Sequence, residues 1–382
     1  MAEETSQEKK TLLLLSSTGG GGHIAACHAL EQMVGKDYNI KMVYPINDLK
    51  IWGLPSCESF YNQMLKTGWI RSMNFIVRHV VPTIFRARKN QTETIISSYI
   101  DTYNPDLIIS LIPFINYPAS EAARKADKPF LIISTDNDLR NWLFDMEKAT
   151  YTDMRITIGD SDLPFTKALI KQKGIPFASV ETTGLPLRSD FLSTKDRLGL
   201  CKEWNLDPHQ KRVLIMMGGA GGVSAYKYAK AIAALPMNLH ILVIAGRNED
   251  LQKELEEIPL HESNQMSILG FTDRISDLMA VSDVLITKPG PGTLNEGLNM
   301  HLPMLIDHTD SSLFWERSNV DWVLQYGVGQ KVKDLDDLSI YLNTYLYDAS
   351  MQTHLTQAFL NTPANQFHLR VPALIAQILE EQ

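Results

Sequence analysis

Several features that mark secreted, membrane-spanning or metal-binding proteins are scarce or absent in this sequence. Its 382 residues include three cysteines, Cys27, Cys57 and Cys201, whose odd number and irregular spacing indicate reduced, buried thiols rather than disulfides or metal ligands. No apolar stretch reaches the ~20 residues that span a bilayer. The start of the chain, residues 1–10, is polar and partly acidic, so we expect no signal or transit peptide there. The sequence therefore predicts a cytoplasmic protein.

A net positive charge and the common nucleotide-binding motifs are also lacking. The formal net charge is -8, which disfavours nonspecific binding of nucleic acid, so no nucleic-acid partner is expected. The chain has no G-x-x-x-x-G-K-[ST] motif, and no G-x-G-x-x-G between a strand and a helix with an acidic residue ~20 positions later. A P-loop ATPase or kinase and a nicotinamide-dependent enzyme are therefore disfavoured.

Short apolar runs alternate with helical segments along the sequence, a pattern that predicts an α/β fold with parallel sheets and helices on both faces. The predicted strands span residues 11–16, 40–44, 107–111, 129–134, 154–158 and 177–181, and then residues 213–217, 240–245, 266–269, 284–287 and 304–306. A Gly and a Pro within residues 183–188 favour a hinge there. We therefore expect two doubly wound domains, residues 1–187 and residues 188–382 with the C-terminal helices, facing each other across a cleft.

Three glycine-rich turns lie between a predicted strand and a helical pattern, at residues 19–22, 218–222 and 290–293. Free backbone N–H groups and the helix dipole point at the ligand in such a turn, so it can hold a phosphate. Any one of the turns is equally well explained as a tight connection. Three with the same arrangement favour a nucleotide site.

The third turn is the most informative because a carboxylate follows it within one helical turn. Glu296 lies three residues after Thr293, in the first part of the predicted helix. A carboxylate accepts hydrogen bonds from hydroxyl groups and therefore suits a ribose diol better than a phosphate. The stretch predicts a bound nucleoside diphosphate whose ribose contacts Glu296.

Two residues of the first half are candidates for acid–base chemistry. His23 follows the first glycine turn and could take a proton from a hydroxyl group, since the pKa of histidine lies near neutral; the alternative is an uncharged helix-start residue. Asp136 follows a predicted strand, where such sheets bind ligands, and could equally be a turn or cap residue. D-x-D matches are common by chance, so we predict no metal site at Asp136/Asp138 or Asp160/Asp162.

A basic and apolar segment lies between Glu58 and Glu93, an interval without acidic residues. Its cationic residues are Lys66, Arg71, Arg78, Arg86, Arg88 and Lys89, interleaved with apolar residues and Trp69. This composition suits a segment in the interface of an anionic membrane. The alternative is a surface helix packed on its own domain. Pro82 is expected to break any long helix here.

Taken in order, the motifs from Leu12 to Val328 resemble glycosyltransferase family 28, in particular its monogalactosyldiacylglycerol synthase and processive diacylglycerol glucosyltransferase group. The matching segments are residues 17–23, 104–109, 134–136, 183–188, 217–219, 245–248, 269–271 and 286–293. The resemblance implies the GT-B fold, with two Rossmann-like domains. It also implies inverting transfer of a hexose from a UDP-sugar to a lipid acceptor, with diacylglycerol favoured, at a peripheral membrane location and without a metal or other cofactor.

The resemblance further implies roles for individual residues. Those expected to bind the donor are Phe271 through its backbone groups at the uracil, Glu296 at the ribose, Gly290, Pro291, Gly292 and Thr293 at the diphosphate, Gly218, Gly219 and Arg247 in the nucleotide pocket, and Glu316 and Asn319 at the sugar. Those expected near the acceptor and the leaving phosphate are Gly20, Gly21 and Gly22, with His23 and Asp136 as catalytic residues. The basic segment falls where these enzymes dock on membranes.

Three departures from the family pattern keep alternatives open. Ser17 stands where galactosyl members carry Asp, beside a loop with one extra glycine. Arg140 precedes Trp142 where the family often has His, and residues 314–316 read Phe-Trp-Glu instead of Gly-Gln-Glu. The alternatives are a non-glycerolipid acceptor and a catalytically degenerate GT-B protein that binds nucleotide or membrane.

Overall fold

The structure is a computed structural model that describes residues 9–18, 22–49, 70–150, 153–218, 223–309 and 313–382. These residues form two compact units. The first unit contains the described residues up to Ser189 together with residues 365–382, and the second contains residues 190–364. The sequence analysis assigned everything after residue 187 to one domain, whereas the structure returns the last 18 residues, 365–382, to the first unit.

The first unit is built on a six-stranded parallel sheet with the order β2-β1-β3-β4-β5-β6. Its strands are β1 (Thr11–Leu15), β2 (Asn39–Val43), β3 (Leu107–Ser110), β4 (Phe130–Ile133), β5 (Met154–Ile158) and β6 (Val180–Thr182). Its helices are Gly22–Val34, Pro45–Asp48, Ile70–Phe75, Val81–Ala87, Lys89–Tyr103, Asn116–Lys125, Pro164–Gln172 and Phe367–Glu380. The strand order changes direction between β1 and β3, which makes that edge the topological switch point of the sheet.

Both faces of the first sheet are buried. Successive side chains of a strand point to opposite faces, so Leu12 and Leu14 enter one apolar cluster and Leu13 and Leu15 the other. The cluster around Leu12 and Leu14 is completed by Phe367, Val371, Leu374, Ile375, Ile378 and Leu379 of the last helix. This helix therefore belongs with the first unit because its apolar stripe covers one face of the first sheet.

The second unit has a six-stranded parallel sheet with the order β12-β11-β10-β7-β8-β9. Its strands are β7 (Lys211–Met216), β8 (Leu239–Gly246), β9 (Gln265–Gly270), β10 (Val284–Thr287), β11 (Met304–Asp307) and β12 (Gly329–Val332). Its helices are Arg197–Glu203, Val223–Ala233, Glu249–Glu256, Ile275–Val281, Pro291–Asn299, Arg317–Gln325, Leu338–Tyr347 and Ala349–Asn361. Here the switch point lies between β7 and β10.

The two sheets confirm the predicted doubly wound α/β class, and each strand expected from the sequence is present. The expectation for residues 177–181 was partly wrong, because Phe177–Ser179 forms a 3-10 turn before β6. The sequence analysis missed β12. Two of its four residues, Gln330 and Lys331, are polar, so it carries no apolar run, and it is held as a strand by pairing with β11.

The described part of the basic segment follows one helical path from Ile70 to Ala87, with a π-helical turn, Ile76–Val80, in the middle. The N–H of Val81 donates to the carbonyl oxygen of Ile76, five residues back. This wider turn lets Pro82 follow although it has no N–H and its ring would clash with the carbonyl four residues earlier. The expected break at Pro82 is thus a local change of helix type. Among the described helices, none is long and apolar enough to cross a membrane.

Candidate active site

The switch point of the second sheet brings two glycine turns together. Met216, at the end of β7, lies opposite Thr287, at the end of β10, and the Thr287 hydroxyl donates to the Met216 carbonyl at 2.7 Å. Gly218 follows β7 with a φ of +88°, a left-handed conformation that favours glycine. Gly290 follows β10. Ligands of doubly wound sheets bind at such carboxyl ends.

The turn after β10 leads into the helix Pro291–Asn299, whose N-cap is Gly290. Proline suits the first helical position because an N–H there would have no intrahelical acceptor. The first backbone bond of the helix runs from the Leu294 N–H to the Gly290 carbonyl at 3.1 Å. The N–H groups of Gly292 and Thr293 therefore precede the intrahelical ladder, and Gly292 is exposed with open space around it. This helix start offers two donors to an anion.

Glu296 lies in the same helix as this donor pair, in a half-buried position. It is followed by Gly297, which packs on the sheet so closely that a Cβ there would lie 2.9 Å from the Met304 sulfur. That close packing fixes the helix against β11 and so fixes the position from which the Glu296 side chain extends.

Arg247 and Phe271, both predicted to bind the donor, contact each other at the carboxyl ends of β8 and β9. The guanidinium carbon of Arg247 lies 4.2 Å from the centroid of the Phe271 ring, a cation–π contact. Both side chains are exposed, and 61% of the Phe271 surface is accessible. A large exposed aromatic ring at this edge is available to a planar ligand.

Glu316 and Asn319, predicted to contact the sugar, are brought to the turn after β10. Both are buried, at 7% and 0% exposure. The side-chain N–H of Asn319 donates to the Pro289 carbonyl at 3.2 Å, and its Oδ1 is buried without a hydrogen-bond partner among the described residues. Burial raises the pKa of Glu316, an effect that the neighbouring Lys288 opposes.

Lys288 was not among the residues selected from the sequence. It lies between β10 and the glycine turn, and its side chain extends beside both Gly218 and Gly290. A lysine directly ahead of a Pro-Gly-Pro-Gly turn was visible in the sequence, but nothing local indicated that its side chain would reach the end of β7.

In the first unit, His23 lies at the switch point between β1 and β3. It is in the helix that follows β1, and its Nδ1 is 2.8 Å from the carbonyl oxygen of Leu111, just after β3. A carbonyl oxygen only accepts, so Nδ1 carries the proton and Nε2 is the acceptor of the ring. His23 as a whole is half-buried, and burial of the ring lowers its pKa to about 4.

Asp136 follows β4 and comes near His23 through its neighbour Thr135, whose Oγ1 lies 3.4 Å from Nδ1 of His23. Asp136 also forms a local turn, in which its Oδ1 accepts from the N–H of Asp138 at 3.1 Å. Asp138 is buried and binds Arg140 through both carboxylate oxygens. The structure thus brings the two predicted catalytic residues to the same edge of the first sheet, after β1 and β4, the two strands that flank β3.

The second D-x-D sequence forms the same kind of turn. Asp160 accepts from the N–H of Asp162 at 2.7 Å, and the Asp162 carboxylate pairs with Lys167 at 3.2 Å. Within the described ranges, no group of three or more His, Cys, Asp or Glu side chains is arranged to hold a metal ion.

The cationic residues of the basic segment fall into two groups, and those at its end are paired with other residues of the first unit. Arg86 binds the buried carboxylate of Asp145 through two nitrogens at 2.9–3.2 Å. Lys89 pairs with Glu93 at 3.6 Å, and Arg88 donates to a neighbouring glutamine, Gln91, at 2.9 Å. These three cations are therefore bound to their own unit, as the surface-helix alternative requires.

The preceding stretch, residues 70–80, presents a different surface. Arg71 and Arg78 are exposed there, and Phe75 and Val80 leave 63% and 39% of their surface accessible. Five further predicted site residues, Gly20, Gly21, Lys66, Trp69 and Gly219, lie outside the described residues.

Comparison with known proteins supports the family resemblance. Residues 213–307 match the glycosyltransferase family 28 C-terminal domain. The chain is 25% identical over 366 residues to monogalactosyldiacylglycerol synthase 1, chloroplastic, of Arabidopsis thaliana, covering 92% of this chain and 66% of that protein. It is 26% identical over 210 residues to the processive diacylglycerol beta-glucosyltransferase of Bacillus subtilis, covering 54% and 52%. The predicted resemblance is confirmed, although the chain spans only about half to two thirds of these relatives' lengths.

Solved structures confirm the GT-B fold. The crystal structure of MurG from Acinetobacter baumannii aligns with a TM-score of 0.63 at 12% identity, over 98% of this chain and 100% of that one. The glycotransferase of kitacinnamycin aligns with a TM-score of 0.65 at 14% identity, over 98% and 100%. At such identities the likeness concerns the fold alone.

Proposed function

We propose that the protein is an inverting glycosyltransferase that moves a hexose from a UDP-sugar to the hydroxyl group of a membrane lipid, with diacylglycerol as the acceptor. The observation that carries the proposal is the second unit's switch point. There the turn after β10 meets a helix start with two N–H groups outside the intrahelical ladder, a carboxylate one turn later and two buried polar side chains. The turn and the carboxylate lie within the segment that matches the family 28 C-terminal domain. The relatives are named monogalactosyldiacylglycerol synthase and processive diacylglycerol beta-glucosyltransferase, and these names support a lipid acceptor.

In this proposal the donor lies along the carboxyl edge of the second sheet. The N–H groups of Gly292 and Thr293 bind the diphosphate, because the helix start leaves them without intrahelical acceptors. Glu296 accepts from the ribose hydroxyls, and the exposed Phe271 contacts the uracil. No metal or other cofactor takes part.

The sugar occupies the space beside Glu316 and Asn319. A buried carbonyl oxygen without a hydrogen-bond partner is costly, and a sugar hydroxyl would satisfy the Asn319 Oδ1. Burial of Glu316 favours its protonated form, which can donate to one sugar oxygen as well as accept from another hydroxyl.

His23 is the proposed general base. Its Nε2 takes the proton of the acceptor hydroxyl while that oxygen bonds to the anomeric carbon, and the bond from that carbon to the diphosphate oxygen breaks with its electron pair on the diphosphate. A low pKa makes His23 a weak base but keeps it unprotonated at neutral pH. Asp136, beside Thr135, supports the positive charge that develops on the ring.

A lipid acceptor requires the protein to reach a membrane, and we propose peripheral association through the residue 70–80 surface. Exposed Phe75 and Val80 supply apolar contact, and Arg71 and Arg78 supply attraction to anionic headgroups.

The test is a transfer assay with the full chain, UDP-glucose or UDP-galactose, and diacylglycerol in anionic vesicles, with EDTA present. Glycolipid formation followed by mass spectrometry, together with UDP release, is the expected result. UDP binding without transfer to any lipid would instead favour the degenerate GT-B alternative, to which the Ser17 departure points. Product formed only with a non-glycerolipid would replace diacylglycerol as the acceptor. Loss of activity in EDTA with rescue by Mn²⁺ would contradict the metal-free reaction.

A further inference from the structure

The side chain of Lys288 extends across the switch point of the second sheet. Its Cε lies 3.0 Å from the position that a Cβ on Gly218 would take and 3.7 Å from the equivalent position on Gly290. Its Nζ is 3.6 Å from the first of these positions. One cationic side chain thus contacts both turns at which the donor's diphosphate is proposed to bind.

Gly218 makes room for this lysine, whereas a Cβ on Gly290 would be in ordinary contact with it. At Gly218 a methyl group would push against the Lys288 stem, and the φ of +88° also disfavours other residues. Glycine at these turns is usually explained by close approach of the backbone to a phosphate. Here it equally permits the lysine side chain to lie along the turn and end at the strand termini.

The backbone of Lys288 is held on both sides. The Gly290 N–H donates to the Lys288 carbonyl at 2.8 Å, and Asn319 donates to the carbonyl of the intervening Pro289. The residue before Lys288, Thr287, is hydrogen-bonded through its hydroxyl group to the Met216 carbonyl of β7. These bonds hold the backbone from which the side chain extends, and the side chain itself lies against Gly218. The ammonium group is thus already near the turn before negative charge develops there, which favours electrostatic stabilisation.

The helix start supplies less charge than the reaction requires. A helix N-terminus is equivalent to roughly half an elementary charge, whereas the diphosphate gains negative charge as it leaves the sugar. Lys288 adds a full positive charge. Its neighbour Glu316 is buried, and burial opposes the ionised carboxylate that would cancel that charge.

On the basis of the proposed function, we infer that Lys288 is a further catalytic residue whose ammonium group binds the donor's diphosphate and stabilises the leaving group. As the acceptor oxygen bonds to the anomeric carbon and its proton passes to His23, the electron pair of the breaking bond moves to the terminal diphosphate oxygen, which the ammonium group faces.

The first test compares the affinities for UDP and uridine by calorimetry in Lys288→Gln. We expect UDP affinity to fall about tenfold to a hundredfold, as for loss of a charged hydrogen bond, while uridine affinity is unchanged. Lys253→Gln, an exposed lysine on the helix Glu249–Glu256, is the control and should change neither. In the transfer assay, Lys288→Gln should lower kcat as well as raise KM.

A second test retains Lys288 but displaces its side chain by adding a methyl group at Gly218. Gly218→Ala should weaken UDP binding, whereas Gly327→Ala should not. The control is matched, since Gly327 also has a positive φ, +70°, and also faces a flexible side chain, His354, at 3.0 Å. Equal losses of thermal stability with a UDP effect only at Gly218 would support the inference.

The outcomes separate the two proposals. If the unmodified chain does not bind UDP, both the proposed function and the role of Lys288 are overturned. If the chain binds UDP and Lys288→Gln keeps the same ratio of UDP to uridine affinity, the role of Lys288 is overturned while the proposed function stands.

Discussion

At His23, a single backbone carbonyl decides which ring nitrogen can accept a proton. The Leu111 oxygen, 88 residues away in sequence, accepts a hydrogen bond from the Nδ1–H group and leaves Nε2 as the proton acceptor. Burial of the ring disfavours the charged form and lowers the pKa to about 4. His23 is therefore in its basic form throughout the physiological range.

We expect His23→Ala to lower turnover about 10²–10⁴-fold while UDP binding is unchanged, the usual effect of removing a general base. The pH profile of kcat/KM shows in which direction activity changes as His23 gains a proton. A base with a pKa of about 4 is active when deprotonated, so activity should be lost only as the pH falls towards 4 and should not change near pH 6.5. An acid limb near 6.5 that disappears in His23→Ala would contradict the lowered pKa.

Glu296→Ala should weaken UDP binding by about 1–3 kcal/mol, the range for losing a hydrogen bond to a charged group. The ribose assignment can be tested directly with the 2′-deoxy form of UDP in calorimetry. If Glu296 binds the ribose hydroxyl, the substitution and the missing hydroxyl remove the same bond, so their effects should not add. Fully additive losses would mean that Glu296 acts elsewhere.

At the scale of single elements, the helical run from Ile70 to Tyr103 changes character along its length. Its second part is tied down by Arg86, which pairs with Asp145 and lies 4.9 Å from the Phe144 ring. The Arg86 guanidinium and Lys148 hold the pKa of the buried Asp145 carboxyl below its usual value. Its first part instead exposes Phe75 and Val80. The sequence analysis proposed a membrane-facing role for the whole stretch, with a packed surface helix as the alternative. The structure pairs the cations of the second part within the first unit, and a membrane role for the first part remains a proposal.

We therefore expect Arg71→Gln with Arg78→Gln to reduce binding to anionic vesicles by about 1 kcal/mol per residue at low salt, with a smaller effect at high salt. Flotation with vesicles measures this. Arg86→Gln is the comparison, because it leaves a buried carboxylate short of a partner and should lower the free energy of unfolding by roughly 1–3 kcal/mol instead. Vesicle binding by the double variant equal to that of the unmodified chain would contradict the membrane role.

At the scale of the whole molecule, the chain leaves the first unit at residue 190 and returns to it at residue 365. The return is anchored by polar contacts as well as apolar ones, since Asn365 donates to the Leu185 carbonyl at 2.8 Å and Arg370 pairs with Glu181 at 2.7 Å. The end of the chain is thus part of the first unit's core.

Ile375→Ala should destabilise the first unit by about 2–5 kcal/mol, the usual cost of truncating a fully buried aliphatic side chain. Leu369→Ala in the same helix is the control, because Leu369 is 64% exposed and its loss should have little effect. Hydrogen exchange can assign the change, which should appear in β1, β3 and β4. Loss of protection confined to the second unit would contradict this placement of the helix.

The sequence by itself determined the features that depend on neighbours along the chain. Apolar runs between helical segments predicted the strands other than β12, and glycine followed by a helical pattern located the helix starts at Gly22 and Pro291. These are local because burial of a strand on both faces requires a continuous apolar run, and a helix start requires only its own first residues.

Strand pairing, helix placement and side-chain contacts between residues distant in sequence were decided only by the tertiary structure. Strand β12 is held by its pairing with β11, and the last helix has an apolar stripe that does not indicate which sheet it covers. The Arg86–Asp145 pair joins residues 59 positions apart, and the setting of Lys288 depends on Gly218, which follows a different strand. Such contacts are set by strand order and packing, and a linear pattern of residue types does not contain that information.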